Sequence, residues 1–298
     1  MANNKFLKSY ANYLKKFLKL KRPLKIVFDA SNGSGALLFK LVAEKNPKLS
    51  VIFLNDKPHG DFPGHGPNPL EHGATDELVA AVKKHQADLG IVVDNDADRV
   101  FFIDEMGRLL TSTESIIFLG DVSSGPMVFD FMIGPLAHQY FEKQNRRVIT
   151  SRVGLYFIKK AMMENNASFG AEYSGHFYFP EVFGSDCAIM SAVHFLNKLS
   201  SLENGLGEWL GQLPRYHQQM VNFKCERQKF PQLARLLKSK FGKSARKISD
   251  LDGIKFEFDK HWFNLRPSNT EDLIRLTVEA QTPVLLDKSI KQLKNLLI

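Results

Sequence analysis

The 298-residue sequence contains little cysteine and no long apolar run. Its two cysteines, Cys187 and Cys225, are far apart and belong to no CxxC motif or Cys/His cluster, so they predict neither a disulfide framework nor a zinc site. No apolar stretch approaches the roughly 18 residues that a membrane-spanning helix needs. A reducing, cytoplasmic location is therefore the expectation.

Acidic residues are missing from the beginning of the chain. The first one is Asp29, and the lysines and arginine that precede it account for the whole formal net charge of +8. Because the remainder is balanced, a nucleic-acid-binding surface spread over the protein is not expected. Apolar residues recur at helical spacing among these cations, which favours a packed basic leader helix over residues 1–22. A membrane-surface or targeting helix is the alternative, although a transit peptide would be rich in Arg and Ser.

Short apolar runs alternate with helical patterns over the next two hundred residues. Runs such as Leu24–Phe28, Val51–Leu54 and Asp88–Val93 indicate βαβ units and a mostly parallel, buried sheet. The alternation starts again near Ser123, with a loop-rich stretch expected over Gly170–Phe183. We predict two mixed or mostly parallel α/β sandwich domains, at 23–122 and 123–215, followed by a smaller α+β domain at 216–298.

The strongest local signal is the hexapeptide Asp94-Asn95-Asp96-Ala97-Asp98-Arg99. Its three carboxylates directly follow a predicted strand, and ligands in open α/β sheets bind at the carboxyl ends of strands. Three hard oxygen donors at alternate positions suit a divalent cation such as Mg²⁺. A solvated acidic turn is the alternative, and an EF-hand is disfavoured because its glycine and later glutamate are missing.

Two further segments offer groups that bind anions or hydroxyls. One combines two guanidinium groups, two hydroxyls and an amide, a set that suits a phosphate cradle or, alternatively, a surface turn. The other is a glycine-flanked loop that suits sugar hydroxyls or, alternatively, a simple hairpin connection. The first contains Arg266, Pro267, Ser268, Asn269 and Thr270, with Arg275 beyond it, and the second runs from Gly170 to His176.

Together and in this order, the three segments resemble the loops of the α-D-phosphohexomutases, the phosphomannomutase/phosphoglucomutase family. The family's loops read DGDADR for the metal, GExSGH for the sugar and RxSNTxP for the substrate phosphate. Asp29–Gly33 also resembles the opening of the family's second domain, and Gly66–Glu71 resembles its PNPL segment. The resemblance extends from about residue 10 to the end of the sequence, which is similar to the last three domains of the family.

The resemblance implies a reaction and a role for each loop. The family exchanges phosphate between the 1- and 6-positions of glucose or mannose through a bisphosphorylated sugar. By position, the carboxylates would ligate Mg²⁺, one arginine would lie beside the transferring phosphoryl group, and the other two loops would bind the sugar and its non-reacting phosphate. These residues are, in that order, Asp94, Asp96 and Asp98; Arg99; Glu172, Ser174 and His176; and Arg266, Ser268, Asn269, Thr270 and Arg275.

The sequence also departs from the family pattern. Nothing in it resembles the first-domain TASHNP-type loop, whose serine stores the phosphoryl group. Leu155 stands where the family usually has histidine, Met132 where bacterial relatives often have lysine, and Asp272 where a proline is usual. Asn95 replaces a glycine, which we expect to be tolerated because Asn adopts left-handed backbone conformations readily.

Three interpretations stay open at this stage. The first is a mutase whose initial domain is on a separate chain or was lost, and the second is a non-catalytic hexose-phosphate and Mg²⁺-binding protein. An enzyme of another class, such as a phosphatase, is disfavoured because no other nucleophile stands out. We expect no mutase activity from this chain alone, and no membrane partner. A partner chain or second copy is expected to dock near an exposed surface at Phe6, Tyr10, Leu14 and Phe17.

Overall fold

The computed structural model describes residues 5–268 and 272–297. The first part of the chain forms a four-stranded sheet in the order β2-β1-β3-β4, in which β1 is parallel to β2 and β3 while β4 is antiparallel. The apolar runs of β1 and β3 are buried, as expected for central parallel strands. The elements are α1 (Lys5–Lys15), β1 (Leu24–Asp29), α2 (Gly35–Ala43), β2 (Leu49–Leu54), α3 (Asp76–His85), β3 (Leu89–Val93), β4 (Val100–Ile103) and α4 (Ser112–Gly120).

A second sheet has five strands in the order β6-β5-β7-β8-β9. Strand β5 is parallel to β6 and β7, and the last two strands run antiparallel. The elements are β5 (Met127–Asp130), α5 (Pro135–Glu142), β6 (Val148–Ser151), α6 (Leu155–Asn165), β7 (Phe169–Ala171), β8 (Phe177–Phe179), β9 (Ser185–Asp186), α7 (Ala188–Ser201) and α8 (Leu206–Gly211). The prediction of a loop-rich stretch over Gly170–Phe183 is therefore wrong in part, because β7 and β8 are too short to show a periodic pattern.

The C-terminal part forms an antiparallel sheet in the order β10-β14-β13-β12-β11, packed against helices. Its elements are β10 (His217–Lys224), α9 (Phe230–Phe241), β11 (Lys247–Ser249), β12 (Ile254–Glu257), β13 (His261–Pro267), β14 (Leu273–Ala280) and α10 (Pro283–Leu297). The predicted fold class, two mixed α/β units followed by a smaller α+β domain, is confirmed. The predicted boundaries at residues 22, 122 and 215 stay a prediction.

One hydrophobic core joins the two α/β units, whereas the C-terminal domain has a core of its own. At the junction, Phe195 of α7 stacks on Phe102 of β4 and packs on Phe118 of α4, with ring centroids 3.8 and 4.2 Å apart. The two mixed sheets are thereby joined through one continuous core.

The leader helix α1 packs against α2 and buries Ala11 and Leu14. The predicted exposed surface is thus wrong at Leu14, which is fully buried because it lies on the helix face toward α2. Phe17 lies beyond the helix and is half-buried, while Phe6 and Tyr10 are exposed. Of the helices in the described residues, none is both long and apolar enough to cross a bilayer.

Candidate functional site

The three predicted metal ligands follow β3 at the carboxyl end of the first sheet. One carboxylate oxygen from each of Asp94, Asp96 and Asp98 lies within 4.8 Å of the others. Asp94 is buried and Asp96 is exposed. The left-handed residue of the loop is Ala97, at φ 62°, and Asn95 is not left-handed, so the tolerance expected for Asn95 does not depend on that conformation. The Ala97 N–H donates to the Asp94 carbonyl at 3.2 Å and so closes a tight turn over Asp94–Ala97.

The donor set of this loop fits a hard divalent cation. All three groups are carboxylates. Asp98 Oδ1 is buried and makes no hydrogen bond in the described part of the chain, although His176 Nε2 lies 3.5 Å away as an ionic contact. Burial, reinforced by the neighbouring Asp98, raises the pKa of Asp94 to about 6. Crowded carboxylates of this kind are relieved by a cation, so the residues present are compatible with Mg²⁺.

Arg99 is fixed at the edge of the loop. Its Nε donates to Asp94 Oδ2 at 2.6 Å, and its Nη1 donates to Asn68 Oδ1 at 3.3 Å. Asn68 belongs to the PNPL-like segment of the sequence, which the structure therefore connects to the metal loop. The side chain of Arg99 remains about a quarter exposed, at 24%, so it is accessible to a ligand.

The predicted sugar-binding residues contact each other and the metal loop. His176 Nδ1 lies 2.7 Å from Ser174 Oγ and 3.0 Å from Glu172 Oε2, and His176 Nε2 lies 3.5 Å from Asp98 Oδ1. Burial would lower the pKa of His176, but its contacts with Asp98 and Glu172 outweigh burial and raise it to about 10. The imidazolium thus joins a carboxylate of each loop. Gly175 has a φ of 94°, which favours glycine, and a Cβ at this position would collide with the Phe101 ring.

Two consecutive backbone amides connect the predicted sugar-binding loop with the C-terminal domain by hydrogen bonds. The Gly154 N–H donates to Glu172 Oε1 at 2.6 Å, and the Val153 N–H donates to Asp252 Oδ2 at 3.0 Å. The same Asp252 oxygen lies 3.7 Å from Arg266 Nη1. A continuous series of polar contacts therefore leads from the metal loop to the predicted phosphate cradle.

Within the cradle, Arg266 and Arg275 lie directly opposite each other on the paired strands β13 and β14. Like charges in that position repel one another, and an anion between them would relieve the repulsion. Ser268 is buried at the end of β13, and its N–H donates to the Leu273 carbonyl at 2.8 Å. The predicted residues Asn269 and Thr270 lie outside the described residues.

Several residues of the site were not predicted from the sequence. Asp252 carries no motif, and Asn68 lies in the PNPL-like segment, to which no site role was assigned; only the fold brings these two residues to Arg266 and Arg99. Asp186 of β9 also reaches the site, with one oxygen within 4.8 Å of a ligand atom of Asp98 and of His176. A lone carboxylate in a two-residue strand gives no sequence signal.

Comparison with known proteins shows which family the chain belongs to. The phosphoglucomutase/phosphomannomutase models match the chain in three consecutive segments: alpha/beta/alpha domain II at residues 5–107, alpha/beta/alpha domain III at 115–216, and the C-terminal domain at 220–295. A phosphomannomutase of Methanocaldococcus jannaschii is 33% identical over 279 residues, which is 92% of this chain and 61% of the relative. A phosphohexose mutase of Xanthomonas campestris pv. campestris is 32% identical over 93% of this chain and 63% of the relative.

Solved structures share the fold. A phosphoglucomutase/phosphomannomutase family protein of Burkholderia thailandensis superposes with a TM-score of 0.85 at 22% identity, over 98% of this chain and 64% of that protein. An N-acetylphosphoglucosamine mutase of Aspergillus fumigatus, solved with GlcNAc-6P and magnesium, gives a TM-score of 0.69 at 17% identity, over 98% of this chain and 65% of the mutase. The chain thus spans less than two thirds of these proteins. With three consecutive domain models matched, it belongs to the phosphoglucomutase/phosphomannomutase family and corresponds to its domains II to IV.

Proposed function

We propose that this chain binds a hexose phosphate together with Mg²⁺ and supplies the metal, sugar and phosphate-binding parts of a phosphohexomutase. The observation that supports this most directly is the series of contacts from Asp98 through His176, Glu172 and Asp252 to Arg266. It puts a carboxylate cluster at one end and paired arginines at the other. A substrate with a reacting group and a distant phosphate needs such an arrangement for alignment.

Each part of the site has a separate role in this proposal. Arg99 would lie beside the transferring phosphoryl group, and Arg266 and Arg275 would hold the non-reacting phosphate by charge-assisted hydrogen bonds. Glu172, Ser174 and His176 would bind sugar hydroxyls. When bound at the carboxylates, Mg²⁺ would neutralise part of the phosphoryl charge.

Covalent transfer also requires a nucleophile that holds the phosphoryl group between half-reactions. Binding by the three loops cannot replace the nucleophile, because such binding stabilises the ground state and the transition state alike. No segment of the 298 residues resembles the serine loop that serves this purpose in the family. We therefore expect this polypeptide to bind hexose phosphates without interconverting them.

The test combines calorimetry with a coupled mutase assay. The purified polypeptide should bind the 6-phosphates of glucose, mannose or glucosamine more tightly with Mg²⁺ than without it, and should show no turnover with Mg²⁺ and a bisphosphate activator. Turnover should appear when the separately produced first domain of a relative is added. Absence of binding would contradict the proposed site, and turnover by the polypeptide alone would mean that it contains a nucleophile.

A non-catalytic hexose-phosphate-binding protein is the second candidate. Two residues favour it: Leu155 is half-exposed at the start of α6, and Met132 is buried in the loop after β5, where polar residues are usual in the family. This candidate predicts that binding is retained while an added first domain restores no turnover.

A further inference from the structure

The turn between β1 and α2 lies directly against the metal loop. Ser31 Oγ donates to the Val93 carbonyl at 2.6 Å, and the Ser34 N–H donates to the Asn95 carbonyl at 2.8 Å. These two carbonyls belong to the peptide groups immediately before Asp94 and Asp96. The turn therefore sets the orientation of the backbone at both carboxylates.

Gly33 lies at the closest approach of the two segments. A Cβ there would be 2.5 Å from the Asn95 Cα and closer still to its carbonyl oxygen. The φ of Gly33 is outside the left-handed region, so contact with the metal loop is what requires a glycine here. Any side chain at this position has to displace Asn95.

The turn is also held in a conformation that non-glycine residues seldom adopt. Ser31 and Asn32 are consecutive left-handed residues, at φ 49° and 53°. Asp29 Oδ1 accepts from the Ser31 N–H at 2.9 Å, the Asn32 N–H donates to the Asn55 carbonyl at 2.8 Å, and Asn32 Oδ1 accepts from the Gly64 N–H at 3.0 Å. Such strain persists only where surrounding contacts determine it, and it concentrates at functional sites.

The Asp96 carboxylate depends on this turn more than the other ligands do. Asp94 is held by Arg99, and Asp98 is held by its contact with His176. Throughout residues 5–268 and 272–297, no hydrogen-bond donor or cation is found at the Asp96 side chain. No side-chain contact therefore anchors this carboxylate, and the backbone of the loop is what directs Asp96 toward the other two ligands.

We propose that Ser31, Gly33 and Ser34 are positioning residues for the cation site, and that their contacts with the Val93 and Asn95 carbonyls bring Asp96 to the other two ligands. This inference rests on the proposed Mg²⁺ site at Asp94, Asp96 and Asp98. It assigns to the β1–α2 turn a function that the turn performs without touching the cation.

The test compares Gly33→Ala with Gly60→Ala, because a Cβ at Gly60 meets no atom within 4 Å. Mn²⁺ serves as the probe, with affinity measured by calorimetry, the bound ion by electron paramagnetic resonance, and folding by thermal melting. Gly33→Ala should weaken Mn²⁺ binding at least tenfold and alter the spectrum of the bound ion, while Gly60→Ala matches the wild type in both. Ser31→Ala keeps the glycine and should weaken binding severalfold, so it tests the idea if Gly33→Ala does not fold.

Wild-type and Asp96→Asn proteins separate the possible failures. If the wild type binds no Mn²⁺, the cation site itself is wrong. If the wild type binds and Asp96→Asn does not, but Gly33→Ala and Ser31→Ala bind like the wild type, the positioning role is overturned. The positioning role is also overturned if Gly33→Ala and Ser31→Ala lower the melting temperature but leave the Mn²⁺ affinity unchanged.

Discussion

At the residue scale, the proposed cation site consists of three carboxylates with different surroundings. Asp96 is exposed, whereas Asp94 is buried and accepts a hydrogen bond from Arg99. We predict that Asp96→Asn abolishes measurable Mg²⁺ binding, because it removes one of three anionic hard donors. Calorimetric titration with Mg²⁺ measures this, with Asp61→Asn as the control, since Asp61 is 91% exposed and outside the loop. Unchanged affinity in Asp96→Asn would contradict the assignment.

The cradle arginines allow a second prediction at this scale. Arg266→Ala should weaken binding of glucose 6-phosphate by about 1.5–3 kcal/mol, because one charge-assisted contact to the phosphate is lost. The matched control is Arg235→Ala, which removes an exposed arginine from α9 of the same domain. Calorimetry with glucose 6-phosphate should show the loss for Arg266→Ala only, and equal affinities for both variants would refute the phosphate site.

At the element scale, α4 is a helix that sequence periodicity does not predict. Its residues 113–120 are all buried between the two α/β units, so it has no polar face and no amphipathic pattern. By contrast, α3 has an amphipathic pattern, with acidic residues in its first turn and basic residues in its last.

A capping box begins helix α4. The Thr111 hydroxyl accepts from the Glu114 N–H at 3.1 Å, and Glu114 Oε2 accepts from the Thr111 N–H at 2.8 Å. We predict that Thr111→Ala lowers the free energy of unfolding by about 1 kcal/mol, because a buried helix end loses its cap. Urea denaturation measures this, and Thr111→Ser should keep most of the stability because it retains the hydroxyl. Equal losses in the two variants would count against the cap.

At the scale of the whole molecule, buried ionisable groups join the C-terminal domain to the second α/β unit. Lys255 Nζ donates to the Ile133 carbonyl at 2.7 Å and to the Phe131 carbonyl at 3.2 Å. Nearby, Trp262 Nε1 donates to Glu279 Oε2, and a side chain at Gly134 would collide with both residues. Burial raises the pKa of Glu279 to about 7, although Trp262 and Lys255 oppose the rise.

This interface should make stability depend on pH. Between pH 4.5, the ordinary pKa of the group, and about 7, Glu279 keeps its proton in the folded state and loses it in the unfolded chain. The free energy of unfolding therefore falls as pH rises through this range, by up to about 3 kcal/mol from this group. Glu279→Gln should remove that part of the decrease in urea denaturation at pH 5 and pH 8. Glu203→Gln, at an exposed loop position, should behave like the wild type. If Glu279→Gln keeps the wild-type pH dependence, Glu279 is not its source.

The sequence alone indicated the three loops, their order and the strand that precedes the first of them, whereas β7 and β13, which precede the other two loops, were not predicted. A strand that is buried in a parallel sheet is an apolar run, and a binding site at its carboxyl end is built from polar residues. Both features can therefore be recognised in the sequence. Asp94, Asp96 and Asp98 were recognisable for this reason as candidate cation ligands.

Only the tertiary structure decided how the loops meet. The contact of His176 with Asp98 joins the loops of two different sheets, and Asp252 accepts from the Val153 N–H across a domain boundary. The left-handed position at Ala97 and the glycine requirement at Gly33 likewise depend on packing between neighbouring loops. Local patterns do not encode such distances, because they result from the way two sheets and a third domain pack around their cores.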